Sequence, residues 1–374
     1  MIHHVLSETE PFSEQFGGAL SRWVANVLRE EQDFTVVCPW ADTSWGFSPD
    51  RILSLSRLRE CALWFKLLRS RHALDFRLRI IRSAFQPLFR RLNQGDTVYI
   101  HNRPDFALVI GEACRQSGAK AVLHLHNSHL LTMPRRLRSR LEVDAFVFCS
   151  EFLRSEAEAY AAGLTSVIPN GADELYFFPR NTEPATADGE PVVLFVGRLV
   201  PDKGVHVFVD AMRILKAKGV RARGKIIGST EWGRNSSSPY VRRLKRSSPE
   251  NVDFGNYVAG AALAEEFRHA SIFCCPSVWN EPFGMVNVEA MATALPVVAS
   301  AVGGIPEIFR DGGALLVPGG SASDLADALQ TLLSNPAERW ELGRRGYRSF
   351  QQRYRWRTIR AKYRAFLGEL QATA

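Results

Sequence analysis

Val192-Val-Leu-Phe-Val-Gly197-Arg198-Leu-Val-Pro-Asp202-Lys203-Gly204-Val-His-Val-Phe-Val209 is the stretch that decides the fold. Five consecutive apolar residues read as a buried strand, Gly197 lets the chain turn closely at its end, and an apolar pattern at helical spacing follows. Strand, turn and helix in that order make a βα unit, and such units repeated along a chain build a parallel sheet. They repeat on both sides of this stretch. Before it, strands are expected at residues 2–6, 34–39, 97–101, 121–126, 145–149 and 166–168, with helices near 18–30, 105–117 and 150–162. From it onward, strands are expected at 192–196, 223–227, 252–254, 272–275, 296–300 and 314–317. The helices of this half fall near 205–218, 240–247, 262–269, 285–293, 321–334 and 336–353.

The 374 residues predict two domains, since single cores seldom grow past about 250–300 residues. The segment Pro179-Arg-Asn-Thr-Glu-Pro-Ala-Thr-Ala-Asp-Gly-Glu-Pro191 has three prolines and almost no apolar mass, so 179–191 reads as a linker between domains 1–178 and 192–353. With 46% hydrophobic and 23% charged residues the composition is that of a soluble globular chain. No run of 18 apolar residues occurs, and the first ten residues have neither a basic region nor a long apolar one; the expected location is cytoplasmic. Six cysteines without a C-x-x-C spacing read as buried free thiols rather than disulfides or a zinc site.

The net charge of +8 is concentrated. Residues 51–91 hold eleven Arg or Lys against Glu60 and Asp75, interleaved with Trp64, Phe65, Phe76, Phe85 and Phe89. This is the pattern of basic amphipathic helices, which suits either the inner face of an anionic membrane or a solvated helix face packed on a core. Met133-Pro-Arg-Arg-Leu-Arg-Ser-Arg140 repeats the pattern. No helix-turn-helix, zinc-finger or RNP-like aromatic pattern accompanies the charge, so no nucleic-acid partner is expected.

Arg198 and Lys203 place two cations beside a helix N-terminus, where a diphosphate fits, although charged βα loops are common without a ligand. Further on, Cys275-Pro-Ser-Val-Trp-Asn-Glu281-Pro-Phe-Gly284-Met285 follows a strand, and Pro282 reads as the first helical residue. The N–H groups of Phe283, Gly284 and Met285 would then face an anion. Glu281 would stand outside the helix and Glu289 two turns inside it, both able to accept hydrogen bonds from sugar hydroxyls. Read alone, the same pattern is a capping carboxylate and a solvated glutamate. Gly17-Gly18 opens the first helix and permits close backbone contact with a ligand. His124, His126 and His129 end a strand; no cysteine or acidic cluster completes four ligands, so one imidazole is expected to meet a polar ligand and no metal is expected.

Taken together these residues resemble a family 4 glycosyltransferase of the GT-B fold, an α/β architecture of two Rossmann-like doubly wound domains facing a central cleft. The similar features are Gly17–Gly18, His126, Ser150-Glu-Phe-Leu, Pro169-Asn-Gly-Ala-Asp173, Gly197-Arg198 through Lys203-Gly204, Glu281-Pro-Phe-Gly through Glu289-Ala-Met-Ala, and Gly303-Gly-Ile-Pro-Glu307, in the family's order. Within the family the likeness is greatest to bacterial polysaccharide or spore-coat type sugar transferases. The resemblance implies a retaining hexosyltransferase that moves a sugar from a nucleotide-diphosphate sugar, by family habit a UDP-sugar, to a glycan or lipid-linked acceptor. It implies that Arg198 and Lys203 hold the diphosphate, Glu289 the ribose, Glu281 the transferred sugar and His126 the sugar near its reacting carbon. Gly18 would approach the β-phosphate, and residues 354–374 would cross back onto the first domain.

Three departures stand out. Ala294 replaces a usual glycine. Gly228-Ser-Thr-Glu-Trp232-Gly replaces a usual Gly-x-Gly near the nucleotide base. No D-x-D triplet exists, so no cofactor metal bridging the diphosphate is expected. A sugar-nucleotide epimerase or hydrolase of the same architecture, and a non-catalytic sugar-binding assembly protein, are the alternatives.

Overall fold

The computed structural model describes residues 1–16, 18–61, 74–179, 190–230 and 237–373. Gly17, most of the expected linker, and Trp64 and Phe65 therefore lie outside the described residues. The chain divides into two compact units, Met1–Pro169 with Arg360–Ala374, and Asn170–Ile359. Two expected bounds move. Residues 170–178 belong to the second unit, and the returning segment starts at Arg360, part-way along the helix Trp356–Ala372, rather than at residue 354.

In the first unit seven parallel strands run β1 (Ile2–Val5), β2 (Phe34–Cys38), β3 (Ile52–Ser54), β4 (Thr97–His101), β5 (Lys120–Leu125), β6 (Ala145–Phe148) and β7 (Leu164–Val167), in spatial order β3-β2-β1-β4-β5-β6-β7. The second unit has β8 (Val192–Val196), β9 (Arg223–Ile227), β10 (Val252–Phe254), β11 (Ile272–Cys275), β12 (Val297–Ser300) and β13 (Ala314–Val317), ordered β10-β9-β8-β11-β12-β13. Each sheet winds outward from its first strand, then restarts on that strand's other side. The reversal falls between β1 and β4 in one sheet and between β8 and β11 in the other. Open parallel sheets bind ligands beyond the carboxyl ends of their strands at this place, and it is here that the glycine-rich and acidic motifs emerge.

Burial explains the strands. Every residue of β2 and β4 is buried, as expected for parallel strands covered on both faces. In the second unit Phe195, Phe208, Met212 and Leu215 form a core with Leu325 and Leu329 of the helix Ala322–Ser334. In the first, Tyr363, Phe366 and Leu370 of the returning helix are buried. Arg360 pairs with Glu30 at 2.8 Å there, and the Lys120 ammonium donates to the Leu370 carbonyl. All six cysteines are buried thiols.

Ala294 has φ of 54°, a left-handed conformation just past the helix Met285–Ala292. Glycine adopts it freely, whereas the alanine carries strain of about 1 kcal/mol. The basic segment is helical over Leu74–Ala84, but its apolar residues are not a free stripe: Ile81, Phe85 and Leu88 are fully buried, and Phe85 meets Phe106 edge to face at 5.0 Å. Several arginines are paired too, Arg77 with Asp105 at 3.7 Å and Arg82 with Glu112. Arg79, Arg90, Arg91 and Phe76 remain exposed. Among the described residues no helix is long and apolar enough to cross a membrane.

Candidate functional site

At the reversal of the second sheet, two loops meet. The loop after β8 carries Gly197, Arg198 and Lys203, and the loop after β11 carries Glu281. Gly204, with φ of 70°, starts the helix Val205–Ala217, and a Cβ there would overlap the Pro276 carbonyl oxygen. The Val278 N–H donates to the Asp202 carbonyl at 2.9 Å. These close approaches bring Lys203 Nζ to 2.5 Å from Glu281 Oε2. The Trp279 indole N–H (3.0 Å) and the Ser277 hydroxyl (3.3 Å) donate to the same oxygen. Glu281 is only 8% exposed. It is therefore neither a capping carboxylate nor a solvated one, and among the described residues no group donates to Oε1. The loop is fixed from behind as well: the Gly304 N–H donates to the Glu281 carbonyl at 2.7 Å, and a Cβ on Gly303, where φ is 57°, would overlap the Glu281 backbone.

The helix after this loop begins at Met285, not at Pro282. Gly284 has φ of 94°, which a right-handed helix cannot include, so Pro282 and Phe283 are loop residues and Phe283 is buried. Glu289 is accordingly one turn inside the helix rather than two, and it is buried, not solvated. Arg198 is half-buried and makes no ion pair among the described residues. Gly228 follows β9 directly and lies against Gly197: a Cβ on it would overlap the Gly197 carbonyl oxygen. Asn287, fully buried two residues before Glu289, packs against Gly284 and has no signal in the sequence.

In the first unit, Gly18 does not offer its N–H to a ligand. Glu10 Oε1 accepts from the Gly18 N–H at 2.7 Å and the Ser21 N–H at 3.1 Å, so a carboxylate of the chain itself occupies the N-terminus of the helix Ala19–Leu28. Burial pushes the Glu10 carboxyl up, against the lowering effect of those two bonds.

The histidines also differ from expectation. β4 and β5 pair in register with His101 beside His124, so these two and His126, two residues on, share one face of the sheet. The third member of the group is thus His101 from the neighbouring strand, not His129. His129 is exposed, its Nδ1 bonded to the Asn102 carbonyl at 3.2 Å and its Nε2 to Asn127 at 3.2 Å. Asn102, left-handed with φ of 61°, ties the two strand ends: its N–H donates to the His124 carbonyl at 2.7 Å and its Oδ1 accepts from the His126 N–H at 3.2 Å. Trp23 stands edge-on to His124 at 4.7 Å. Burial holds the His101 and His124 rings well below the usual imidazole range, and His4, on the same face, is lowered to about 3.

Residues 180–349 match the family described as glycosyl transferases group 1. Spore coat protein SA of Bacillus subtilis is 27% identical over 215 residues, which are 53% of this chain and 57% of that protein. A GDP-mannose-dependent monoacylated alpha-(1-6)-phosphatidylinositol monomannoside mannosyltransferase of Corynebacterium glutamicum is 29% identical over 284 residues, 70% of this chain and 73% of that one. The Anabaena protein HepE, solved in complex with UDP-glucose, superposes with a TM-score of 0.74 at 18% identity, covering 100% of this chain and 99% of that one. Its match fits the two doubly wound sheets described above as the GT-B fold. The match to this family lies wholly in the second unit. It spans a little under three fifths of the first curated relatives, 57% and 59% of their lengths.

Proposed function

We propose that the protein is a retaining glycosyltransferase that moves a sugar from a nucleoside-diphosphate sugar, of the UDP class, to a glycan or lipid-linked acceptor. The observation that carries this reading is Glu281: a buried carboxylate at the end of β11, anchored through Oε2 by Lys203, Trp279 and Ser277, with Oε1 left to accept from a sugar hydroxyl. A carboxylate held this way is pre-positioned to favour positive charge growing at the anomeric carbon. Arg198 and Lys203 hold the diphosphate and stabilise the charge that develops as it leaves, Glu289 holds the ribose, and His126 contacts the transferred sugar. In the step itself the bond from the anomeric carbon to the phosphate oxygen breaks, the acceptor oxygen attacks on the same face, and the departing phosphate takes the acceptor's proton. The solved complex of HepE with UDP-glucose supports a UDP donor, and the lipid substrate named for the Corynebacterium relative supports a lipid-linked acceptor.

A product assay with UDP-, GDP-, ADP- and dTDP-sugars tests the reading. Transfer with retained anomeric configuration is expected with a UDP-sugar, and it should persist in excess EDTA, because cations of the chain serve the diphosphate. Donor consumed at equal rate without an acceptor would turn the reading to the epimerase or hydrolase; activity lost in EDTA and restored by Mg²⁺ or Mn²⁺ would remove the metal-free mechanism.

We further propose that the exposed arginines of residues 51–91 bring the first unit to the anionic inner face of the cytoplasmic membrane, where a lipid-linked acceptor lies. Sedimentation with vesicles should show binding that rises with anionic lipid and falls with salt, since exposed charges are screened over about 8–10 Å at physiological ionic strength. Replacing Arg79, Arg90 and Arg91 by Glu should abolish it. Equal recovery in the supernatant with neutral and anionic vesicles would leave these arginines as a solvated face.

A further inference from the structure

We propose that His101, His124 and His126 form a binding site for a zinc-class divalent cation on the covered face of the first sheet. Their ligating nitrogens lie within 4.8 Å of one another. His101 Nδ1 and His126 Nε2 are 3.5 Å apart, close to the edge of about 3.3 Å that a tetrahedral ion with bonds of about 2.0–2.1 Å sets between two of its nitrogens.

His124 is what distinguishes this cluster from a packed core of rings. It is fully buried, and neither of its ring nitrogens has a hydrogen-bond partner. A buried polar group in that state is destabilising and uncommon, and an ion between the rings would satisfy it. His129, by contrast, has a partner for each of its nitrogens.

The surroundings are those of a ligand set. His101 Nε2 lies 3.0 Å from His4 Nδ1, and His4 Nε2 lies 2.8 Å from Tyr363 Oη. With each ring donating toward Tyr363, His101 Nδ1 keeps its lone pair facing His126. Outer hydrogen bonds of this kind fix the tautomer and orientation of metal-binding imidazoles. Three imidazoles without a carboxylate select zinc, nickel, copper or cobalt over magnesium and calcium, which take oxygen ligands. His126 is half-buried, so the fourth position can be reached by water. This departs from the expectation of no metal, which concerned the diphosphate and the wrong third histidine. Under the function proposed above, and resting on it, an ion here would hold His126 away from the donor sugar, so zinc would inhibit transfer.

The experiment uses tag-free full-length protein, stripped with chelator and titrated with Co²⁺. One equivalent should bind at micromolar metal, with the visible absorption of four-coordinate cobalt, and Zn²⁺ should displace it. His124→Phe, which keeps an aromatic ring against Trp23, should weaken uptake at least 100-fold while the circular dichroism stays unchanged. If that variant does not fold, ¹⁵N-histidine spectra of the wild type decide: three of the nine histidines should show metal-bound nitrogens. No stoichiometric uptake, uptake unaltered in a folded His124→Phe, or a different set of shifted histidines would overturn the site. Uptake without inhibition of transfer would count against His126 as a sugar contact and leave the metal site standing; absence of uptake would leave the transferase reading untouched.

Discussion

Glu281→Gln is expected to bind free UDP nearly as the wild type does, while kcat falls about 100-fold or more. The amide keeps the volume of the side chain and can still accept from Trp279 and Ser277, but it loses the negative charge that favours the transition state over the ground state. Glu289→Ala should behave differently. A ribose contact is shared by donor and free nucleotide, so both should weaken about equally, with KM raised and kcat little changed. Calorimetry with free UDP and a product assay on the two variants decide the matter. Reversed behaviour would exchange the two roles; transfer unchanged in both would reduce the motif to a structural element.

Lys203→Ala should lose on two counts. Charge-assisted hydrogen bonds contribute about 1.5–3 kcal/mol each, so nucleotide affinity should drop tenfold or more. Its Nζ is also the ion-pair partner of Glu281, whose side chain is 10% exposed against 21% for the lysine. Removing one partner of a largely buried pair leaves the other uncompensated, so unfolding in denaturant should show a loss of about 3 kcal/mol. The double variant Lys203→Ala with Glu281→Gln separates the effects: stability should return toward the wild type while nucleotide affinity stays low. If the single variant keeps its affinity for UDP, the lysine serves Glu281 alone and the diphosphate assignment falls.

Sequence was informative wherever a single segment carries its own signal. The strands at 97–101, 192–196, 223–227, 252–254, 272–275 and 314–317 stand at the expected residues, because buried parallel strands are short apolar runs bounded by turns. β3 carries no such signal, because a three-residue edge strand is too short to display a period. Pro282 is a good first helical residue by type, yet the left-handed Gly284 two positions later moves the helix start to Met285. What the chain cannot reveal residue by residue is who meets whom. Lys203 and Glu281 are 78 positions apart, and the pairing of two βα loops, not any local spacing, joins them. The same holds for His101: His129 is nearer to His126 along the chain, but the register of β4 with β5 puts His101 beside His124.

The returning helix has a consequence for how the protein is made. The first unit is synthesised first, but Tyr363, Phe366 and Leu370, which complete its interior, emerge only after the whole second unit has been translated. Until then the face carrying His4, Tyr99 and His101 lacks its cover, while the second unit already holds nearly all its residues. The order of maturation is thus inverted, with the later half able to consolidate before the earlier one. A fragment ending at Pro169 would carry that open face permanently and should be prone to chaperone retention and aggregation, whereas supplying Arg360–Ala374 in trans would give it the missing wall.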